Sequence, residues 1–108
     1  MIRHIVLIRF RPETGQDVID AIFADLDAVG QHLPGMGRFL AGRSESPEQI
    51  ERGFMHGFTV DFASWEALAA YQDHAEHKKV GARIVAAAEG GMDGILVFDL
   101  PVEGVDPC

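Results

Sequence analysis

The sequence predicts an α+β fold of the ferredoxin-like type, with the order β-α-β-β-α-β and a second helix split in two. Three observations lead to it. Two stretches alternate apolar and polar residues as strands do, and two more, each bounded by turn residues, are short enough for strands. Two segments repeat apolar residues at helical spacing, and Gly and Pro separate the elements. This order implies a four-stranded antiparallel sheet that carries its helices on one face.

The first strand is predicted over Ile2 to Phe10, where the residues alternate between two faces. One face holds Ile2, His4, Val6, Ile8 and Phe10. The other face has Ile5 and Leu7 at the strand centre, which helices on one side of the sheet would leave in water. A second subunit or another layer is therefore expected over that face.

The first helix is the clearest element, with Thr14 as its expected cap and an end near Gly30. Leu33-Pro34-Gly35 predicts a turn into a second strand, from Met36 to Gly42. The residues expected to form the buried stripe of the helix are Val18, Ile19, Ile22, Phe23, Leu26 and Val29.

The segment from Arg43 to Arg52 is expected to be a surface connection in which Ser46-Pro47-Glu48-Gln49 forms one capped helical turn. The third strand is predicted over Phe54 to Phe62, because apolar residues alternate there again. Its inward face would hold His56, Phe58, Val60 and Phe62.

Ser64 is expected to cap the second helix, which should break near His74 and continue as a second piece. Glu89 to Gly94 predicts a turn, and the last strand is expected over Ile95 to Asp99 before an acidic tail. The residues expected to face the sheet are Trp65, Leu68, Ala69 and Tyr71 in the first piece, and Val80, Ile84, Val85 and Ala88 in the second.

The length, charge and cysteine content of the chain limit the functions that it can have. A chain of 108 residues that is 47% hydrophobic fits one compact domain, residues 1–108. The net charge of −8 argues against a nucleic-acid partner, which requires clustered Lys and Arg. Cys108 is the only cysteine, so an internal disulfide and a metal-thiolate cluster are both excluded, and a cytoplasmic location is expected. Arginines interrupt the apolar start, which therefore reads as a strand rather than a signal peptide or membrane span.

The residues most suited to chemistry lie between Ser64 and Val80. Tyr71, His74 and His77 fall within seven residues, and these side chains can move protons near neutral pH. An i,i+3 spacing would place Tyr71 and His74 on one helix face, and His77 would share it only if the turn continues.

Several segments together resemble the stress-responsive dimeric A/B barrel (Dabb) family, over about residues 2 to 100. The resemblance implies a homodimer whose two sheets meet face to face as a dimeric α/β barrel. The segments are the opening His4-Ile-Val-Leu-Ile-Arg-Phe-Arg-Pro-Glu, Leu33-Pro34-Gly35, Gly42-Arg43-Ser44, Phe62-Ala-Ser-Trp-Glu-Ala-Leu, Tyr71-x-x-His74-x-x-His77 and Val97-Phe98-Asp99.

The resemblance also implies site residues, because a plant polyketide cyclase of this family performs a cofactor-free aldol cyclisation. Its catalytic tyrosine corresponds to Tyr71 and its catalytic histidine to His77, while a pocket histidine corresponds to His4 and a nearby carboxylate to Asp99. One departure is that Ala75 stands where the family often has proline between the two helix histidines. No metal or organic cofactor is implied.

The implied chemistry is acid/base catalysis. His77 would take a proton from a carbon beside a carbonyl, with a carboxylate fixing its tautomer, while Tyr71 would hydrogen-bond the developing enolate. Apolar residues on the inward face would line a pocket for a small, mostly hydrophobic ligand. The predicted ligand-binding residues are His4, Val6, Ile8, His56, Phe58, Val60, Ile95 and Val97.

Each of these residues also has a purely structural interpretation. Tyr71 can be a core residue, His74 a polar cap at the helix break, and His4 and His56 core histidines bonded to backbone. Asp99 can accept hydrogen bonds from a turn.

Three functions therefore remain open: a cofactor-free enzyme of cyclase or lyase type, a non-catalytic stress-related homo-oligomer, and a haem-degrading or cofactor-free monooxygenase. The enzyme requires a closed pocket that both Tyr71 and His77 face.

Overall fold

The computed structural model describes residues 1–103, apart from the side chain of His32. Cys108 and the end of the expected domain lie outside the described residues. The elements are β1 (Ile2–Ile8), α1 (Gln16–Val29), β2 (Met36–Arg43), β3 (His56–Phe62), α2 (Trp65–Asp73), α3 (Ala75–Ala87) and β4 (Ile95–Pro101), with short 3-10 helices at Gly30–His32 and Gly91–Gly94. The predicted order, including the split second helix, is confirmed.

The four strands form one antiparallel sheet in the order β2-β3-β1-β4. β1 lies inside the sheet, and its residues pair with β3 on one side and β4 on the other. His4 is opposite Val60 of β3 and Asp99 of β4. The ferredoxin-like arrangement that the sequence predicted is therefore present.

The hydrophobic core lies between one face of the sheet and the three helices. Alternate residues of β1 and β3 meet the inner sides of α1, α2 and α3 there, which is the arrangement expected for a sheet with helices on one face. The largest fully buried side chains are Tyr71, Phe62, Ile8, Ile22, Leu26 and Val60.

The other face of the sheet, which we call the open face, is apolar and uncovered in the single chain. Leu7, on the inner strand β1, is 39% exposed, and Phe98, on the edge strand β4, is 61% exposed. The alternation predicted for β1 is therefore confirmed. The large apolar residues exposed on this face are Leu7, Leu40, Leu96, Phe98 and Leu100.

Two expectations for α1 were wrong. Gly15, not Thr14, is the residue that caps the helix, and no side chain accepts a hydrogen bond there. The Thr14 backbone is instead held in a turn, where its N–H donates to the Arg11 carbonyl. Val18 is exposed, because the helix begins at Gln16 and turns Ile19 and Ile22 toward the sheet instead.

The connection between β2 and β3 is exposed as expected, but residues 46–49 form a turn rather than a helical turn. The Ser46 hydroxyl accepts a hydrogen bond from the Glu48 N–H at 3.2 Å, so this serine stabilises the turn locally. Gln49 has a positive φ of 56°, which is incompatible with a continuing helix. β3 consequently begins at His56, two residues later than the alternation predicted.

Ser64 caps α2 as predicted, since its hydroxyl accepts a hydrogen bond from the Ala67 N–H at 3.1 Å. Leu68 and Tyr71 face the core, but Trp65 and Ala69 are exposed. Helical side chains lean toward the N-terminus and cover the preceding turn. Trp65 is the first residue of α2 and has no preceding turn to cover, so the expectation that it packs on the sheet was wrong.

The break at His74 is confirmed and is stabilised by His74 itself. Its backbone is extended (φ −65°, ψ 133°), and its Nδ1 accepts a hydrogen bond from the Glu76 N–H at 3.1 Å. α3 buries Val80 and Ile84, while Val85 is half-buried. β4 runs to Pro101, two residues further than predicted. No helix within residues 1–103 has both the length and the hydropathy needed to cross a membrane.

Ser64 and Thr14 together give a direct test of helix capping. Replacing Ser64 with alanine removes the only side-chain acceptor at the start of α2, and we expect the free energy of unfolding to fall by about 1 kcal/mol. Thr14→Ala is the matched control and should change it by less than about 0.5 kcal/mol, because Thr14 caps nothing. Urea unfolding measures both, and an equal loss in the two variants would contradict the assignment.

Candidate functional site

The strand register brings His4 and Asp99 together. They lie directly opposite each other on β1 and β4, and His4 Nδ1 is 2.5 Å from an Asp99 carboxylate oxygen. The His4 side chain is 5% exposed and that of Asp99 is 25% exposed. An ionised carboxylate can only accept hydrogen bonds, so we assign the proton to His4 Nδ1. Asp99 therefore fixes both the orientation and the tautomer of His4.

Tyr71 lies against both imidazoles. Its ring centroid is 4.2 Å from that of His77 and 5.9 Å from that of His4. Tyr71 is fully buried, and its hydroxyl has no hydrogen-bond partner within residues 1–103. Burial raises the pKa of Tyr71 above its ordinary value, so the phenol keeps its proton at neutral pH.

His77 also has a buried polar atom without a hydrogen-bond partner. Its Nδ1 is buried and makes no hydrogen bond within the described residues. Burial is the main cause that lowers the pKa of His77, and the nearby imidazoles of His4 and His74 lower it further, although the Gln72 backbone opposes them. The imidazole is therefore neutral at pH 7 and has a free lone pair available.

A cavity of about 270 Å³ adjoins these groups and opens between the β1–β4 side of the sheet and α3. Its walls are mainly apolar, and its polar residues are His4, His77 and Gln72. The lining residues are His4, Val6, Phe58, Gln72, His77, Gly81, Ile84, Val85, Met92, Ile95 and Val97.

Five of the eight predicted ligand-binding residues line this cavity, namely His4, Val6, Phe58, Ile95 and Val97. Ile8 and Val60 do not, because both are fully buried in the core. His56 is also misplaced: it lies opposite Ile8 at the far end of β1 from His4, with its ring 5.4 Å from that of Phe10. Alternation identifies the inward face but does not tell which residues on it reach a cavity.

The predicted catalytic residues lie close together, but the carboxylate expected on His77 is not found among residues 1–103. The carboxylate of Asp99 bonds to His4, and no carboxylate bonds to His77 within residues 1–103. Tyr71 lies beside His77 in the core and is not among the residues that line the cavity. His74 is a helix cap, in agreement with its structural interpretation.

The residues that sequence reasoning missed are mostly on α3 and at the cavity mouth. Gly81, Ile84 and Val85 lie four, seven and eight positions after His77, which is the spacing of one helix face. That spacing is a signal that could have found them. Met92, in the 3-10 helix before β4, carries no periodic signal. Within residues 1–103, no three His, Cys, Asp or Glu side chains come close enough to hold a metal ion.

Comparison with known proteins identifies relatives over almost the whole chain. A family model for the stress responsive A/B barrel domain matches residues 2–102. A stress-response A/B barrel domain-containing protein of Arabidopsis thaliana is 26% identical over 104 residues, which is 95% of this chain and 87% of that protein.

Solved structures share the fold. A dimeric ferredoxin-like protein of unknown function from Jannaschia sp. CCS1 is 36% identical, with a TM-score of 0.88 over 94% of this chain and 98% of that one. A hydroxynitrile lyase from Passiflora edulis is 24% identical, with a TM-score of 0.82 over 98% of this chain and 96% of that one. At this identity the second likeness concerns the fold alone.

The lowered pKa of His77 predicts a pH dependence of stability. Below the ordinary imidazole pKa of about 6.5, the unfolded chain binds a proton at this residue that the folded chain does not. The free energy of unfolding should therefore fall as the pH is lowered from 7 to 5. Urea unfolding over this range checks it. His77→Gln should flatten the dependence, and an unchanged slope in that variant would contradict the assignment.

Proposed function

Because this chain belongs to the stress responsive A/B barrel domain family, we propose that it is a homodimeric, cofactor-free acid/base enzyme acting on a small apolar carbonyl compound. The observation that carries this proposal is the unpartnered, buried Nδ1 of His77, a residue that lines an apolar cavity, with the unpartnered hydroxyl of Tyr71 on a ring packed against His77. Buried polar groups nearly always have hydrogen-bond partners, and leaving one unpaired costs about 1–3 kcal/mol. A bound polar ligand atom would supply the missing partner.

In the proposed reaction His77 is the base. Its neutral imidazole lines the cavity and can remove a proton from the carbon beside a carbonyl group. Tyr71 does not line the cavity, but its ring lies against those of His77 and His4, which do. We propose that its hydroxyl, which stays protonated because of its raised pKa, donates a hydrogen bond to the substrate oxygen as it becomes an enolate. The protons balance within the site, because His77 holds the proton that it removes and can return it to the product.

His4 and Asp99 support the pair. The hydrogen bond from His4 Nδ1 to Asp99 leaves the other ring nitrogen of His4 as an acceptor when the ring is neutral. Since His4 lines the cavity and packs edge-on to Tyr71, it can position a substrate hydroxyl or the phenol itself. We propose that His4 is a positioning residue rather than the base.

The size of the cavity favours a small substrate. At about 270 Å³ it lies just below the range of about 300–1,000 Å³ that holds drug-sized ligands. A haem is larger than such ligands, so the cavity disfavours the haem-degrading alternative. The hydroxynitrile lyase among the structural neighbours supports lyase chemistry as compatible with this fold.

We also propose that the chain forms a homodimer through its open face and works in the cytoplasm. Leu40, Phe98 and their apolar neighbours form a patch of the kind that soluble monomers rarely expose. The relative from Jannaschia, which is 36% identical, is described as dimeric. A second copy stacked on this face would remove these side chains from water.

The catalytic proposal predicts hydrogen exchange at carbon. In D₂O the protein should accelerate deuterium incorporation at the carbons beside the carbonyl of 2-pentanone, with a rate that rises with pH through the lowered pKa of His77 and then levels off. His77→Gln should lower the rate by about 10²–10⁴-fold, and Tyr71→Phe by about 10²–10³-fold. NMR measures the exchange.

His56→Gln is the matched control, because His56 lies outside the cavity, and it should keep the wild-type rate. The stability of Tyr71→Phe separates the enzyme from the non-catalytic homo-oligomer. Loss of an unpaired hydroxyl should not lower the free energy of unfolding, and it should raise it by up to about 1–3 kcal/mol. Equal exchange in wild type and His77→Gln would leave the enzyme proposal without support.

The dimer proposal predicts that one charge on the open face separates the subunits. Phe98→Asp places a carboxylate on the apolar patch, so the variant should be a folded monomer in light scattering at micromolar concentration, where wild type is a dimer. Trp65→Asp alters an equally exposed aromatic residue on α2, on the opposite side of the sheet, and should remain dimeric. A dimeric Phe98→Asp protein would argue against this interface.

A further inference from the structure

The cavity is a slot with a polar end and an apolar end. Along the sheet, the His4–Asp99 pair lies at one end, Val6 and Val97 face each other in the middle, and Ile95 lies beyond them. On α3, His77 and Val85 line the same slot, and they lie eight positions apart, which is about 12 Å along the helix axis. His77 is at the polar end, because the Tyr71 ring packs against both His77 and His4, and Val85 is therefore at the apolar end.

Gly81 lies between these two ends and is unusual for its position. It is near the middle of the 13-residue α3, where glycine is the least favourable residue after proline. Its backbone does not have the positive φ that would require glycine. A Cβ atom built there would find no atom within 4 Å outside its chain neighbours and the nearby helix backbone, so close packing does not require glycine either. Gly81 therefore leaves this part of the slot wall without a side chain.

We propose that Gly81 is a specificity-determining residue that sets the length of ligand the slot accepts. The ligand class is a neutral carbonyl compound whose carbonyl lies at the His77 end and whose unbranched apolar tail runs past Gly81 toward Met92. This inference rests on the proposed function, since it uses His77 and Tyr71 to hold the carbonyl group.

The lining residues favour a neutral head group over a fatty acid. They include no Lys or Arg, and the His77 imidazole is uncharged at neutral pH, so nothing on the wall offsets a carboxylate charge. The walls beyond His77 and Gln72 are apolar and match an alkyl tail. The exposed Met92 at the mouth is an adaptable side chain that can close over tails of different length.

The test uses the 2-alkanones from 2-butanone to 2-nonanone as probes, with dissociation constants measured by NMR titration. In Gly81→Ala the added methyl group takes space from the tail, so the longest ketones should bind about tenfold more weakly while 2-butanone is unaffected. The same variant should melt about 4 °C higher, because alanine favours the helix and meets no neighbour.

The double variant Gly81→Ala/Ala82→Gly is the matched control. Ala82 is exposed on α3, so this variant keeps the glycine count of the helix while it still fills the slot. It should discriminate against long ketones as Gly81→Ala does, without the gain in melting temperature. Ala82→Gly alone should melt lower and bind the whole series like wild type.

The outcomes separate this inference from the proposed function. If wild type binds the ketones, His77→Gln weakens that binding, and Gly81→Ala binds the whole series like wild type, then only the role of Gly81 is overturned. A lower melting temperature for Gly81→Ala would also overturn it, because it would mean that the added methyl group clashes with neighbouring atoms. If wild type binds no ketone, both the inference and the proposed function fail.

Discussion

The placement of β1 between β3 and β4 is the constraint on which the rest of the structure depends. Both neighbours hydrogen-bond to it in antiparallel register, so the face of every residue on β1 is specified twice. A shift of one residue would carry His4 to the open face and bring Arg3 into the core. Burying an unpaired guanidinium costs several kcal/mol, so the observed register is strongly favoured. The contact between His4 and Asp99 follows from it.

The break at His74 makes the second contribution to the site. On one straight helix, residues six apart point about 120° away from each other, so Tyr71 and His77 would lie on different faces. The extended backbone at His74 ends α2 and redirects α3, and the two rings then meet with centroids 4.2 Å apart. Ala75 begins α3 directly after this break. The interruption of the helix between Tyr71 and His77 therefore brings their rings together.

The sequence predicted the order of elements and the inward face of the sheet, because a period of two or 3.6 residues reports which side is buried. Residue type and family resemblance pointed to Tyr71 and His77 as the candidate site, which stays a prediction. The residues alone could not place Asp99 on His4, because strand register depends on pairing between residues 95 positions apart, and only the family resemblance implied that contact. Nor could the sequence separate Val6, which lines the cavity, from Ile8, which does not, because both share one face of β1 and both are buried.

The two faces of β1 connect the proposed dimer to the proposed site. His4 and Val6 line the cavity, while Ile5 between them and Leu7 after them face the opposite way, toward the expected second copy. Backbone positions one residue apart cannot move independently in a strand that is hydrogen-bonded on both sides. A partner that holds Ile5 in place therefore also limits the motion of His4. Restricting that motion would hold the imidazole at a fixed position in the site, and such preorganisation is what acid/base catalysis requires.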